Sequence, residues 1–215
     1  MRVETIRSHR TNLNRDKRRA QILKSATDVF AAKGFHQTRI SDVIAAAGIA
    51  RGTFYLYFKS KGELFLGLLK ELLLRLRSSV MGVDTSPDAA PLDKQLVDAV
   101  GRILQTAVDD RALATIVVRE AVSLDAEARE ILNNFYINVR QFIGESISNG
   151  QRLGMIRELD ENIAASCVLG LVKQVIEDLV MSDFAKPLDV QQVAEVIVEF
   201  GLKGIGSVYG SYSGH

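Results

Sequence analysis

The sequence predicts an all-α protein of about nine helices, divided into a small N-terminal three-helix domain and a larger C-terminal helical domain. Apolar residues recur at spacings of three and four along almost the whole chain, which is the periodicity of an amphipathic helix. Only three of the 215 residues are proline, and no long segment alternates apolar and polar residues as a half-buried strand does. With 47% hydrophobic and 25% charged residues, the composition excludes a disordered or collagen-like chain.

Charge is distributed unevenly along the chain. The formal net charge is +1, yet residues 1–61 carry 13 basic and 4 acidic side chains, whereas residues 62–215 carry 14 and 22. Such asymmetry is typical of a polyanion-binding head on a body that has another role. We therefore predict a basic flexible arm at residues 1–16, a basic domain at 17–62 and an acidic domain at 63–215.

The arm and the first helix of the basic domain come first in the chain. Residues 1–16 are rich in arginine and show no apolar periodicity, so we expect a mobile arm that adds non-specific affinity for a nucleic acid. A solvated tail that only aids solubility is the alternative. The helix that follows presents Leu23, Ala26 and Phe30 on one face and ends at Gly34, a typical helix stop.

Two short helices and a tight turn follow. The helices are predicted at about residues 41–47 and 52–58, and the turn is Ala47-Gly48-Ile49, with glycine where a left-handed conformation is needed. This is the layout of a helix-turn-helix, whose second helix enters the major groove of DNA. Phe54 and Phe58, four residues apart, anchor that second helix to the core.

The second of these helices carries side chains suited to DNA. Arg51 and Thr53 lie at its start, where arginine offers a bidentate fork to guanine and threonine a hydroxyl or a methyl contact. The hydroxyls of Tyr55 and Tyr57 are free to reach phosphate oxygens, which fixes register without reading sequence. Lys59 and Lys61 continue the positive surface.

The segment AGIARGTFYLYFKSK, residues 47–61, resembles the signature of the TetR/AcrR family of bacterial transcriptional regulators. The preceding FAAKGF (30–35) and TRISDV (38–43) fit the end of the first helix and the start of the second in that family. The resemblance covers about residues 17–64 and combines glycine, aromatic and basic positions in a fixed register. The rest of the chain matches the family in length and helical content.

The motif and the resemblance together imply a set of DNA-contacting residues: Thr38, Arg39, Ser41, Arg51, Gly52, Thr53, Tyr55, Tyr57 and Lys61. By resemblance, Thr38 or Arg39 caps the second helix and touches the DNA backbone. Gly52 meets the groove, and Lys61 binds a phosphate at the start of the fourth helix. The family usually has a second threonine in place of Arg39 and often a basic residue in place of Ser41, so Arg39 supplies a charge that relatives place two residues later.

The acidic domain begins with a helix predicted at residues 62–80, which carries leucine on nearly all sides. A helix that apolar must be covered on more than one face, so we expect it to bridge the head and the body. Residues 82–91 are predicted to form a loop, since they collect turn formers and two prolines. Further helices are predicted at about 92–109, 111–123, 125–149, 160–181 and 188–209.

The last two helices are predicted to form a homodimer interface. A helix-turn-helix monomer reads too few base pairs to select one site in a genome, and the family resemblance also implies a dimer. The helices at about 160–181 and 188–209 carry apolar stripes: Ile163, Cys167, Gly170, Leu171, Val175 and Leu179 on the first, and Val193, Val196, Ile197, Phe200, Gly204 and Val208 on the second. The alternative is that both stripes pack inside one chain.

The middle helices are predicted to hold an effector pocket. Its candidate residues are Arg119, Phe135, Tyr136, Asn138 and Phe142, an apolar set with few polar anchors that suits a small apolar or amphipathic effector. The adjacent Arg119 and Glu120 lie inside an apolar segment, so at least one of these charges is expected to be partly buried and to need a partner. An internal salt bridge and an anionic group of the ligand are both compatible with that requirement.

Other chemistry finds no support in the sequence. We expect no enzymatic activity and no cofactor, because no catalytic set or nucleotide-binding loop is present, and no metal site, because His9, His36 and His215 are scattered. The single Cys167 lies in an apolar run and is expected to be buried. The sequence contains no run of about 18 apolar residues, the length that a membrane-spanning helix needs, so a cytoplasmic protein is expected.

The most economical interpretation is a ligand-responsive transcriptional regulator. We expect a repressor that binds a palindromic operator as a homodimer and is released by a small-molecule inducer. A DNA-binding activator, or a regulator without a small-molecule inducer, is the alternative. A protein that coats DNA without regard to sequence is disfavoured, because the acidic body repels DNA.

Overall fold

The computed structural model describes residues 2–80, 82, 84, 86, 88–120, 126–181 and 189–203, with side chains from residue 14 onward. Every regular element within these ranges is a helix, which confirms the all-α prediction. The described helices are α1 (Arg2–Lys33), α2 (Ile40–Ala47), α3 (Arg51–Tyr55), α4 (Lys61–Ser79), α5 (Leu92–Asp109), α6 (Arg111–Glu120), α7 (Ala126–Arg152), α8 (Glu161–Met181) and α9 (Val190–Lys203). None of them is long and apolar enough to cross a membrane.

Two predicted boundaries differ from the structure. Residues 1–16 were expected to form a flexible arm, whereas the chain is helical from Arg2 and contains no glycine or proline before Gly34 that would break the helix. The third helix ends at Tyr55 rather than near Phe58, and the chain reaches Phe58 through one more turn, in which its N–H donates to the carbonyl of Phe54 at 3.1 Å. The predicted helical residues 121–123, 125, 188 and 204–209 lie outside the described ranges.

The chain divides into two compact units. The first comprises Met1–Leu73 with Ala112–Arg129, and the second comprises Leu74–Arg111 with Glu130–His215. The division therefore falls inside α4, at the start of α6 and in the first turn of α7.

The core of the first unit is aromatic and leucine-rich. Phe30 and Phe65 both contact the ring of Phe35, with centroids 5.2 Å apart in each pair. All six consecutive residues of Leu64–Leu69 in α4 are buried, so the helix is covered on every side along this stretch. The expectation that the leucine-rich helix is covered on more than one face is therefore confirmed.

The core of the second unit lies among α5, α8 and α9. Leu104 of α5, Leu179 of α8, and Ala194 and Ile197 of α9 form one buried cluster. Valine, leucine and isoleucine side chains of the same helices, half-buried, pack around it. The predicted apolar stripes of α8 and α9 thus supply part of this intramolecular core.

Candidate nucleic-acid interface

The turn between α2 and α3 has the predicted geometry. Gly48 adopts φ 61° and ψ 38°, a left-handed conformation that side chains with a Cβ rarely adopt. Its N–H donates to the carbonyl of Ala45 at 3.2 Å and ends α2. The amide of Gln21 in α1 donates to the carbonyl of Ala47 at 2.8 Å, so α1 holds the end of α2 in place. The prediction that glycine occupies a left-handed position here is confirmed.

Helix α3 is anchored on one side and open on the other. Phe54 and Phe58 are 0% and 2% exposed, which confirms their predicted role as anchors. Arg51, Gly52 and Tyr55 are exposed, and the Arg51 guanidinium lies 5.9 Å from the centroid of the Tyr55 ring. The rigid attachment of α3 fixes the direction in which these three residues face solvent.

The surroundings of Gly52 are consistent with close approach by another molecule. A Cβ built on Gly52 would meet no atom within 4 Å, so protein packing does not require glycine at this position. Gly67 is different, because a Cβ there would lie 3.1 Å from side-chain carbons of Leu23 and Phe58. Protein packing therefore accounts for the glycine at position 67 but not for the one at position 52.

Leu56, at the exposed end of this segment, was not among the predicted DNA contacts. Leu56 is 75% exposed and follows Gly52 by four residues, which places the two on one helix face. Helical spacing from Gly52 is the signal that identifies it. An exposed leucine there offers an apolar contact of the kind that a thymine methyl group accepts. The predicted contacts Thr53 and Tyr57 are half-buried.

The start of α2 is capped differently from the expectation. Arg39 occupies the N-cap position, but an arginine side chain has no hydrogen-bond acceptor with which to cap a helix. Instead, the Asp42 carboxylate accepts the N–H of Arg39 at 3.0 Å. That backbone hydrogen bond, assisted by Lys33 at 3.3 Å, lowers the pKa of Asp42 below its usual range. The side chains of Arg39 and Ser41 remain exposed.

Thr38 and Lys61 face protein groups in this structure. Thr38 is 2% exposed, and its hydroxyl donates to the carbonyl of Gly34 at 2.8 Å. The Lys61 ammonium donates to the carbonyls of Phe35, His36 and Thr38 at 2.8, 3.3 and 3.1 Å. Both side chains thereby close the loop between α1 and α2. The geometry gives both side chains a structural role, and their contacts with the DNA backbone stay a prediction.

His36 and Glu120 form a contact that the sequence did not indicate. The His36 side chain is 71% exposed, and its Nε2 lies 3.0 Å from Oε2 of Glu120 at the end of α6. The Glu120 side chain is 15% exposed, whereas Arg119 is exposed. The expected buried charge is therefore that of the glutamate, and its partner belongs to the protein.

The predicted effector residues are divided between the two units. Arg119 lies on α6 in the first unit, whereas Phe135, Tyr136, Asn138 and Phe142 lie on α7 in the second. Phe135 and Tyr136 are half-buried with ring centroids 5.7 Å apart, whereas Asn138 and Phe142 are exposed. Burial raises the pKa of the Tyr136 phenol above its usual value.

The second unit has a groove that none of the predicted effector residues lines. Its volume is about 390 Å³, and it lies between α5 and the start of α9. Asp98, Arg102 and Asp189 are among its lining residues. This charged lining does not match the apolar effector site predicted from α7.

The predicted dimerisation stripes are partly exposed. Ile163 of α8 and Val196 and Phe200 of α9 are 66%, 62% and 43% exposed. Cys167 is exposed as well, which corrects the expectation that it is buried, because α8 turns this side away from the α5–α8–α9 core. Gly204 and Val208 of the second stripe lie outside the described residues.

Comparison with known proteins matches both parts of the chain. Residues 22–68 match the family model of bacterial regulatory proteins of the tetR family, and residues 89–177 match that of the tetracyclin repressor-like C-terminal domain. The Fatty acid metabolism regulator protein of Bacillus subtilis (strain 168) is 27% identical over 186 residues, which are 86% of this chain and 94% of that protein.

Solved structures share the same fold. The transcriptional regulator FadR from Bacillus subtilis, in complex with stearoyl-CoA, has a TM-score of 0.71 at 23% identity and covers 87% of this chain and 99% of its own. AibR, in complex with isovaleryl coenzyme A and operator DNA, has a TM-score of 0.66 at 19% identity and covers 85% of this chain and 97% of its own. The two family models, together with the helix-turn-helix geometry, show that the chain belongs to the TetR family of bacterial regulatory proteins and is a DNA-binding transcriptional regulator.

Proposed function

We propose that this regulator is a repressor that binds a palindromic operator as a homodimer and is released by an acyl-coenzyme A. The observation that carries the DNA-binding part is the anchored helix α3, which turns Phe54 and Phe58 inward and leaves Arg51, Gly52 and Tyr55 exposed. In this proposal Arg51 reads a base edge and Tyr55 binds a phosphate.

Further predicted contacts complete this surface. Arg39 and Ser41 at the start of α2 are exposed and would bind the DNA backbone. Thr53 and Tyr57 are half-buried and keep part of their surface for the duplex. Leu56 joins them as an apolar contact.

The homodimer is proposed to form through the exposed parts of α8 and α9. Ile163, Val196 and Phe200 are large apolar side chains that face solvent in a single chain. In this proposal these side chains form one apolar patch, which is typical of an interface between subunits. The two helices from each of two subunits would make a four-helix contact, which sets the spacing of the two copies of α3.

The proposed effector class follows from relatives. A fatty acid metabolism regulator is similar over most of the chain, and two structural neighbours hold stearoyl-CoA and isovaleryl coenzyme A. An acyl-coenzyme A is amphipathic, which matches the predicted combination of Phe135, Tyr136 and Phe142 with the polar Asn138. Arg119 would meet an anionic group of such a ligand only if the ligand reaches α6.

In this proposal the regulator leaves the operator because the effector binds its two conformations with different affinities. An acyl-coenzyme A that binds better to a conformation with wrongly spaced recognition helices shifts the population towards it. Release is proposed to take place in the cytoplasm, where bacterial DNA lies, and it includes no catalytic step.

The test uses the DNA upstream of the protein's own gene. Duplex fragments selected by the full-length protein should bind more weakly to the Arg51→Ala and Tyr55→Phe variants, and stearoyl-CoA or isovaleryl-CoA should release the wild type while free coenzyme A does not. Unchanged binding by both variants contradicts the assignment of α3. Binding without release by either thioester favours the alternative, a regulator without such an inducer, and transcription from the selected promoter in vitro separates repressor from activator.

The dimer interface has its own test. Ile163→Glu with Val196→Glu should convert the protein to a monomer in light-scattering measurements and abolish tight operator binding. A variant that remains dimeric contradicts this interface.

A further inference from the structure

The N-terminal part of α1, residues 2–20, extends beyond the packed core of the first unit; it is called here the basic extension. Helix α1 begins at Arg2, but the first buried side chain described in it is Ile22. At about 1.5 Å per residue, the basic extension spans roughly 28 Å of helix. Its sequence contains seven basic and two acidic residues: Arg2, Arg7, Arg10, Arg15, Lys17, Arg18 and Arg19, with Glu4 and Asp16.

The basic extension meets the core beside the recognition helix. The amide of Gln21, next to its last residue, donates to the carbonyl of Ala47 at 2.8 Å, just before the turn into α3. The guanidinium of Arg19 lies 5.3 Å from the centroid of the Phe58 ring, just after α3. Because α3 lies between Ala47 and Phe58 in the chain, the extension leaves the core where the DNA-facing helix is held.

Two arginines of the basic extension lie on the same face of α1 as the buried residues that follow it. Arg15 and Arg18 precede Ile22 by seven and four residues, which places them on the helix face that packs inward from Ile22 onward. Lys17 and Lys24 lie on the opposite face, five residues before and two residues after Ile22. All four of these basic residues are exposed.

We propose that Arg15 and Arg18 bind DNA phosphates that flank the base pairs facing α3, so that the basic extension forms a second, sequence-independent DNA contact. A duplex seated on α3 carries phosphate rows along both edges of its major groove, and arginine pairs with phosphate through a bidentate fork. This contact rests only on the DNA-binding part of the proposed function.

The test compares two full-length variants that lose the same charge from the same helix. Arg15→Gln/Arg18→Gln removes the two guanidinium groups, and Lys17→Gln/Lys24→Gln is the matched control on the opposite face. Each protein is titrated with a selected upstream duplex and with a random duplex of equal length, between about 50 and 200 mM salt. Circular dichroism melting checks the fold, and Arg15→Gln alone replaces the double variant if removal of the 2.8 Å bond from Arg18 to Gln21 disturbs it.

The expected result is a face-specific change in salt dependence. The slope of log affinity against log salt should become shallower by about 0.9 for each phosphate that is no longer bound, by the same amount on both duplexes, while the control stays close to wild type. Equal slopes for the two variants would overturn the proposal, since a long-range field without direct binding acts regardless of face. Weakening confined to the selected duplex overturns it as well, because it indicates base reading. If Arg51→Ala and the extension variants all leave binding unchanged, both the DNA-binding role of α3 and the role of the basic extension are wrong. If Arg51→Ala weakens binding and the extension variants do not, only the role of the basic extension is wrong.

Discussion

The Nε2 atom of His36 lies 3.0 Å from Oε2 of Glu120, and this contact joins the loop between α1 and α2 to the last residue of α6. The two residues are far apart in the sequence but lie in the same compact unit. The end of α6 is therefore in direct contact with the loop that precedes α2.

The His36–Glu120 contact should make a small contribution to stability. His36→Ala, Glu120→Gln and the double variant form a double-mutant cycle, measured as free energies of unfolding in urea. The imidazole side is 71% exposed, so we expect a favourable coupling energy below about 1 kcal/mol. Strictly additive single effects would show that the two side chains do not interact.

Gly52 and Gly67 should respond oppositely to alanine. Gly52→Ala should leave the free energy of unfolding unchanged or raise it by up to about 1 kcal/mol, because its methyl group meets no protein atom, yet weaken operator binding where the duplex approaches. Gly67→Ala should lower the free energy of unfolding by about 1–3 kcal/mol through its contacts with Leu23 and Phe58. Full operator affinity in the first variant would show that DNA does not approach Gly52 closely.

Lys61 and Lys59 form a second matched pair. Lys61→Met removes an ammonium that donates to three carbonyls, so the free energy of unfolding should fall by about 1–3 kcal/mol. Lys59→Met changes an exposed side chain, so stability should stay within about 0.5 kcal/mol while operator affinity and its salt dependence decline. Urea unfolding and operator titration measure both, and a fully stable Lys61→Met protein would contradict the structural role of that lysine.

Asp42 should make the stability of α2 depend on acid pH. The backbone N–H of Arg39 lowers the pKa of Asp42, so its carboxylate stabilises the folded state above the pKa of the unfolded chain and ceases to do so as the pH falls through the lower folded value. The melting temperature of Asp42→Asn should therefore lie below that of the wild type at pH 7 and approach it in acid. A gap between the two proteins that does not change with pH would contradict this cause.

Local patterns in the sequence were sufficient to predict the turn and the buried side of α3 at the candidate DNA-binding site. The spacing of Phe54 and Phe58 predicted which side of α3 is buried, since residues four apart share a helix face. Gly48 marked the turn because few other residues adopt a positive φ. Leu56 lay within reach of the same reasoning but was missed.

Other features could not be predicted because their partners are distant in the chain. Lys61 binds carbonyls 23 to 26 residues away, and nothing in its own neighbourhood distinguishes it from the exposed Lys59. His36 meets a carboxylate on α6, and Cys167 faces solvent although it lies in an apolar run. A periodic pattern states that a face is apolar but not which surface covers it.

The all-α class, the helix-turn-helix and its basic charge follow from the order of residues, because helix periodicity, a left-handed glycine and the charge of a segment are local properties. Which polar side chains face solvent depends on how the helices pack. Thr38 and Lys61 are engaged by carbonyls, whereas Arg39, Arg51 and Tyr55 stay exposed. That choice depends on which hydrogen-bonding groups the packed helices bring within about 3 Å of one another.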